Sequence, residues 1–210
     1  MHKERERLLF VDFNGVISYD PYCKSLKNTE HPLHQFADRI ESFVFTEHPE
    51  LFQRWMIGGY TTEEFHHILS KEMNVSNEIL LRSFIYDCQN IDISKPIITA
   101  LQELKSQFVI VLASGNTDAL ERFIIPEQEE LFRVFDAIDN SFHLHCMKYE
   151  NGGQYFMNRA ATERIPIQKS LLLEDSKKTC AVFQAIGGKA FCVNTESAVL
   201  RCIAEIKDGC

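Results

Sequence analysis

The run Leu8-Leu9-Phe10-Val11, leading into Asp12-Phe13-Asn14-Gly15, constrains this chain more than any other segment. Four consecutive apolar residues leave a strand no polar face, so it must be covered on both sides, as strands of a parallel sheet are. An acidic residue ends the run, and a glycine three positions later frees the backbone to turn. Open α/β sheets bind ligands outside the carboxyl ends of their strands. At that place Asp12 suits a nucleophile or a metal ligand.

The same signature occurs twice more. Phe108-Val109-Ile110-Val111-Leu112 runs into Ser114-Gly115-Asn116, and Leu171-Leu172-Leu173 runs into Glu174-Asp175-Ser176. Shorter strands are expected near 135–138 and 190–193. Helices are expected from about Thr117, over 153–164, from Ser176 to about Ile186, and from Thr195. Strands alternating with helices predict an α/β fold with a doubly wound, parallel, Rossmann-like sheet.

Residues 31–106 break this rhythm and read as helix. Leu33, Phe36, Ile40 and Phe43-Val44 keep three-to-four spacing, as do Phe65, Ile68-Leu69 and Met73. Thr61 with Glu64 forms a capping box, Gly58-Gly59 a turn, and further helices fit 76–88 and 95–106, the last with Pro96 in its first turn. The organisation is a helical block inserted early into the α/β domain.

A length of 210 residues suits one large domain or a core carrying an insert. The formal charge of −8, without any Lys/Arg run, argues against nucleic acid as a partner. No apolar run is long enough to span a membrane, and residues 1–7 lack the apolar stretch of a signal peptide. Seven cysteines without a C-x-x-C pair read as reduced thiols, which fits a cytoplasmic protein; Cys202 and Cys210 can oxidise in vitro.

In a parallel sheet the three polar strand ends lie on one edge. Ser114 or Asp175 taken alone has a plain alternative as a helix N-cap. The coincidence of three such ends favours a shared site.

Four motifs in order resemble the haloacid dehalogenase superfamily of phosphohydrolases and phosphomutases. They are Asp12-Phe13-Asn14-Gly15-Val16; the apolar strand ending in Ser114; Lys148 ahead of a helix; and Leu171-Leu172-Leu173-Glu174-Asp175-Ser176. Tyr149 replaces the usual proline after the lysine. The resemblance implies a core of residues 1–18 and 96–210 and a helical cap of residues 19–95. It implies a Mg²⁺-dependent phosphatase acting on a small phosphorylated metabolite through an aspartyl-phosphate on Asp12. Mg²⁺ would be held by Asp12, the Asn14 backbone carbonyl and Asp175, with Glu174 pairing Lys148 or supporting the metal's water shell. Ser114, Gly115, Asn116 and Lys148 would bind the phosphoryl group.

Asn14 departs from the pattern, because phosphatases of this superfamily carry a second aspartate there as general acid and base. A carboxamide can do neither. Three readings stay open: a slow or non-catalytic phospholigand-binding member, an introduced substitution, or a 2-haloacid dehalogenase, whose reaction does not need the second carboxylate. The Glu174-Asp175 pair favours the metal-dependent site over the last.

Other polar groups read as ordinary structure. His143-x-His145-Cys146 lacks a second ligand cluster, His66-His67 fit a solvated helix face, and Glu127, Glu129 and Glu130 fit exposed surface. Trp55 and Tyr60 flank Gly58-Gly59 and fit either a specificity loop or burial within the helical block, the second being favoured.

Overall fold

The computed structural model describes residues 5–209. The apolar runs form a five-stranded sheet in the order β3-β2-β1-β4-β5, with every pairing parallel. The strands are β1 (Arg7–Val11), β2 (Phe108–Ser114), β3 (Ala137–Asn140), β4 (Ser170–Glu174) and β5 (Lys189–Cys192). The chain moves outward from β1 through β2 to β3, then returns across β1 to start β4. The direction of winding therefore reverses between β1 and β4, which is where open α/β sheets form their binding crevice.

Alternation along the strands assigns two cores. Leu9, Val11, Ile110, Leu112, Leu171 and Leu173 face one side, and Leu8, Phe10, Val109, Val111 and Leu172 the other. The first face is covered by α5 (Lys95–Leu104) and α10 (Glu196–Lys207). The second is covered by α8 (Gln154–Thr162) and α9 (Lys177–Ala185), where Phe10, Phe156 and Phe183 meet edge to face.

Between β1 and α5 come α1 (Ala37–Ser42), α2 (Pro49–Met56), α3 (Thr62–Met73) and α4 (Asn77–Gln89). The capping box expected for α3 forms: Thr61 accepts from the Glu64 N–H and Glu64 accepts from the Thr61 N–H. Helix α2, with Pro49 at its start, was not delimited by periodicity. The apolar residues of this segment continue the first core without a break, with Trp55, Phe65 and Phe84 among them.

Two expectations need correction. No regular helix starts at Thr117; the chain instead forms a π-turn over Leu120–Ile124 and a short α6 (Glu129–Phe132). Pro126 explains the break, since it lacks the N–H that a continuing helix needs. His66 is not on a solvated face. It is fully buried, with His67 exposed beside it, because adjacent helical positions lie about 100° apart.

His143 and His145 are exposed around the short helix α7 (Ser141–Leu144), and among the described residues the one cluster suited to a metal lies elsewhere. Cys23, Cys88, Cys180 and Cys202 are buried free thiols; Cys210 lies outside the described residues. No helix of the described residues is long and apolar enough to cross a membrane.

Candidate active site

β1, β2 and β4 end side by side, so Asp12, Ser114 and Glu174-Asp175 share one sheet edge at the reversal point. Asp12 is held by its backbone, whose N–H donates to the Leu173 carbonyl over 3.0 Å. Its Oδ1 accepts from the Phe13 N–H at 2.8 Å. Carboxylate oxygens of Asp12, Glu174 and Asp175 all lie within 4.8 Å of one another.

Lys148 enters from the loop before α8 and is almost completely buried. Its ammonium lies 2.7 Å from Asp12 Oδ1, 2.7 Å from Glu174 Oε2 and 2.8 Å from the Ala113 carbonyl. An ammonium has three N–H donors, so this set uses all of them.

Burial pushes the Asp12 carboxyl up to about 7; the Lys148 charge opposes that shift and the Glu174 charge adds to it. Burial also raises Asp175, with the charge of Asp12 next. For Lys148, burial acts to lower the pKa, but the two carboxylates outweigh it and hold the ammonium above its ordinary value. Among the described residues the group is a crowded anionic pocket in which Lys148 is the one paired cation.

The N-cap alternatives do not describe this edge. Helix α9 is capped by Ser176, whose hydroxyl accepts from the Thr179 N–H, and not by Asp175. Ser114 caps nothing: its hydroxyl is buried and has no hydrogen-bond partner among the described residues. Buried polar groups are nearly always paired, so this orphan calls for an explanation.

Gly15 and Asn14 form the turn beyond β1, where the Gly15 N–H donates to the Ser18 carbonyl at 2.8 Å. Gly15 has φ +75°, and a Cβ there would overlap the Asp175 carboxylate. Glycine is thus required both by backbone conformation and by close approach. The Asn14 residue is exposed.

Gly115 and Asn116 continue from Ser114. The Asn116 N–H donates to the Ser141 hydroxyl at 3.0 Å, and the Asn116 side chain accepts from the Thr117 N–H at 2.8 Å.

Two residues further, Asp118 was missed by motif reasoning. It is buried and accepts from Trp55 Nε1, the Thr62 N–H, the Thr62 hydroxyl and Arg122. Motif reasoning does not reach it, because three of its four donors come from α2 and α3, far back in the chain.

One cleft, about 680 Å³, is an open groove along Lys24–Pro32 and α4 and includes none of the strand-end residues. A second cavity of about 280 Å³ includes Asn14 and Asn116 in its lining.

No family model and no curated protein matches the sequence. Solved structures do match. A protein from Porphyromonas gingivalis, predicted to be a HAD-like family hydrolase, superposes with a TM-score of 0.70 at 17% identity, covering 96% of this chain and 97% of its own. A HAD family enzyme from Bacteroides thetaiotaomicron gives 0.69 at 18%, covering 89% and 93%; it has also been solved in complex with magnesium and inorganic phosphate. The L-2-haloacid dehalogenase of Xanthobacter autotrophicus, with chloropropionic acid covalently bound, gives 0.63 at 11%, covering 88% and 76%. At these identities the likeness is one of fold, and that fold is the one shared by the haloacid dehalogenase-like (HAD-like) superfamily.

Proposed function

We propose that the protein is a Mg²⁺-dependent phosphohydrolase acting on a small phosphorylated metabolite through an aspartyl-phosphate on Asp12, with turnover limited by Asn14. The observation that carries this reading is the buried, unpartnered Ser114 hydroxyl, one residue beyond the carbonyl that Lys148 binds. A phosphoryl oxygen would give that hydroxyl its missing acceptor. Lys148 would neutralise the same group while holding Asp12 in place.

The residues present fit a hard divalent cation: clustered carboxylate oxygens, and a glycine that keeps the space beside Asp175 clear. Asp12, Asp175 and the Asn14 carbonyl would hold Mg²⁺, with Glu174 at the edge of the set. The bound ion would offset repulsion between carboxylate and phosphate and stabilise charge on the transferring group. The complex of the Bacteroides enzyme with magnesium and inorganic phosphate supports Mg²⁺ as the ion and a phosphoryl group as the ligand.

In the reaction an Asp12 carboxylate oxygen forms a bond to phosphorus as the ester oxygen leaves in line; water then cleaves the acyl phosphate. Asn14 cannot protonate the leaving group or activate that water. General acid–base help is worth ~10²–10⁴-fold, so the expected activity is low. Residues 19–95 would act as a cap that excludes water and selects the substrate.

The test is phosphate release from a metabolite panel, with and without Mg²⁺, by the protein and its Asn14→Asp variant. The proposal expects Mg²⁺-dependent release that rises at least ~10²-fold in the variant. Asn14 also favours a second reading, a non-catalytic phospholigand-binding protein. That reading predicts Mg²⁺-dependent thermal stabilisation by phosphate, with both forms inert. Halide release from a short halo-acid without metal would point instead to dehalogenation.

A further inference from the structure

The 280 Å³ cavity is lined by Tyr22, Phe45, Phe52, Trp55 and Phe84 from the helical segment, and it reaches Asn14 and Asn116 at the strand ends. The rings pack on one another: Phe52 lies edge-on to Tyr22, Phe45 and Trp55.

The polar side chains on its aromatic side are already engaged within the protein, and the carboxamides of Asn14 and Asn116 stand apart from them at the strand ends. Trp55 donates to Asp118, and the Tyr22 hydroxyl bonds His66. Lys24 bonds Asp20 and the Asn90 carbonyl, and Asp87 accepts from the Ser25 N–H and hydroxyl. A sugar or polyol seated among the rings would have to compete with those bonds or leave hydroxyls unpaired, each unpaired group being costly. An apolar ring meets no such penalty. A dry cavity of ~150 Å³ takes up benzene, so about 280 Å³ admits one ring with its linking atoms.

Two further features set this wall apart. Phe45 and Ile124 line the cavity from the two π-turns, Phe43–Glu47 and Leu120–Ile124. Such turns are rare and concentrate at functional sites. Phe45 is also 45% exposed, so an aromatic ring stands at the cavity with part of its surface uncovered.

We infer that the aromatic cavity beside Asn14 and Asn116 receives the leaving group of the substrate, and that the substrate class is a phosphate monoester of an apolar, single-ring alcohol or phenol. This rests on the phosphoryl-site reading of Asp12, Ser114 and Lys148.

The test uses phosphonates, whose C–P bond is not hydrolysed, so the weak chemistry expected from Asn14 does not enter. Affinities of inorganic phosphate, methylphosphonate, 2,3-dihydroxypropylphosphonate and benzylphosphonate are measured by titration calorimetry in Mg²⁺. The expected result is benzylphosphonate binding at least ~10-fold tighter than methylphosphonate, with the dihydroxypropyl compound no tighter than methyl. Phe45→Ala, at a partly exposed ring, should cut the benzyl preference several-fold and leave methylphosphonate affinity unchanged. Ala119 also stands in the cavity wall, and Ala119→Leu, which fills part of the space, should do the same. Phosphate binding with equal affinity for benzyl and methyl overturns the inference and spares the phosphoryl site. A dihydroxypropyl preference likewise overturns it in favour of a polyol substrate. Failure of inorganic phosphate and every phosphonate to bind overturns both.

Discussion

The indole N–H of Trp55 donates to the buried carboxylate of Asp118 over 2.8 Å, joining helix α2 to the turn that follows β2. The same carboxylate accepts from the Thr62 N–H at 3.1 Å and the Thr62 hydroxyl at 2.7 Å, and Arg122 pairs with it at 2.6 Å. One side chain thus fastens two helices of the inserted segment to the chain just beyond Ser114, Gly115 and Asn116.

Asp118→Ala should therefore be strongly destabilising, since it strands the buried Trp55 and Thr62 donors together. Each buried donor left unpaired costs ~1–3 kcal/mol, so a loss of roughly 3 kcal/mol is expected from the urea midpoint at unchanged m.

Ser114→Ala should behave in the opposite way. The hydroxyl has no partner to lose, so removing it leaves the free protein as stable as before or slightly more so. The stabilisation that phosphate brings in the presence of Mg²⁺ should shrink in this variant. A marked loss of stability without ligand would show instead that the hydroxyl serves the fold.

Lys148→Met removes the one cation between Asp12 and Glu174 and leaves both carboxylates buried without it. Breaking such a pair costs ~3–5 kcal/mol. Mg²⁺ should restore part of this in thermal unfolding, whereas Na⁺ at equal ionic strength should not.

Gly15→Ala forces a side chain into a φ of +75° and into the space of the Asp175 carboxylate. Backbone strain costs more than ~1 kcal/mol at such a position. The sharper expectation is loss of the Mg²⁺-dependent rise in Tm, because Asp175 must move away from Asp12 and Glu174.

Acid should weaken the fold through His66. Burial pushes this imidazole down to about 4, against 6.5 for a free side chain. Its Nδ1–H donates to the Thr62 carbonyl at 2.7 Å, which leaves Nε2 to accept from the Tyr22 hydroxyl. The neutral ring is satisfied. With the folded pKa below the unfolded one, the unfolded chain binds more protons between these values. The stabilisation is complete above about 6.5 and is lost as pH falls towards about 4. A single group contributes at most ~1.4 kcal/mol per pH unit. His66→Phe should flatten the dependence of unfolding free energy on pH in that window.

The three central strands were legible because their uninterrupted apolar runs can be buried on both faces only in a covered parallel sheet, whereas the order of strands across the sheet was not. The placement of Asp12, Ser114 and Glu174-Asp175 on one edge followed from the same parallelism. Capping of α3 was legible at Thr61 and Glu64 because a cap is a contact within one turn. Burial of Trp55 was favoured for its bulk alone. Helix α2 was not delimited, and the helix expected from Thr117 forms as successive π, 3₁₀ and α turns from Leu120 to Phe132 rather than as one α-helix. The first packs onto a distant partner through Trp55 and Asp118, and the second is interrupted locally by Pro126.

What the sequence determined by itself is local in kind: which runs must be covered, where they end, and which polar residue types stand at those ends. The tertiary structure decided the rest. It left the Ser114 hydroxyl without a partner, set Lys148 between two carboxylates, and tied Asp118 to Trp55 across 63 positions. It also gathered aromatic side chains from the inserted helices into a cavity beside Asn14. Those relationships depend on how separate segments pack, and side-chain packing between distant segments leaves no periodic trace in the order of residues.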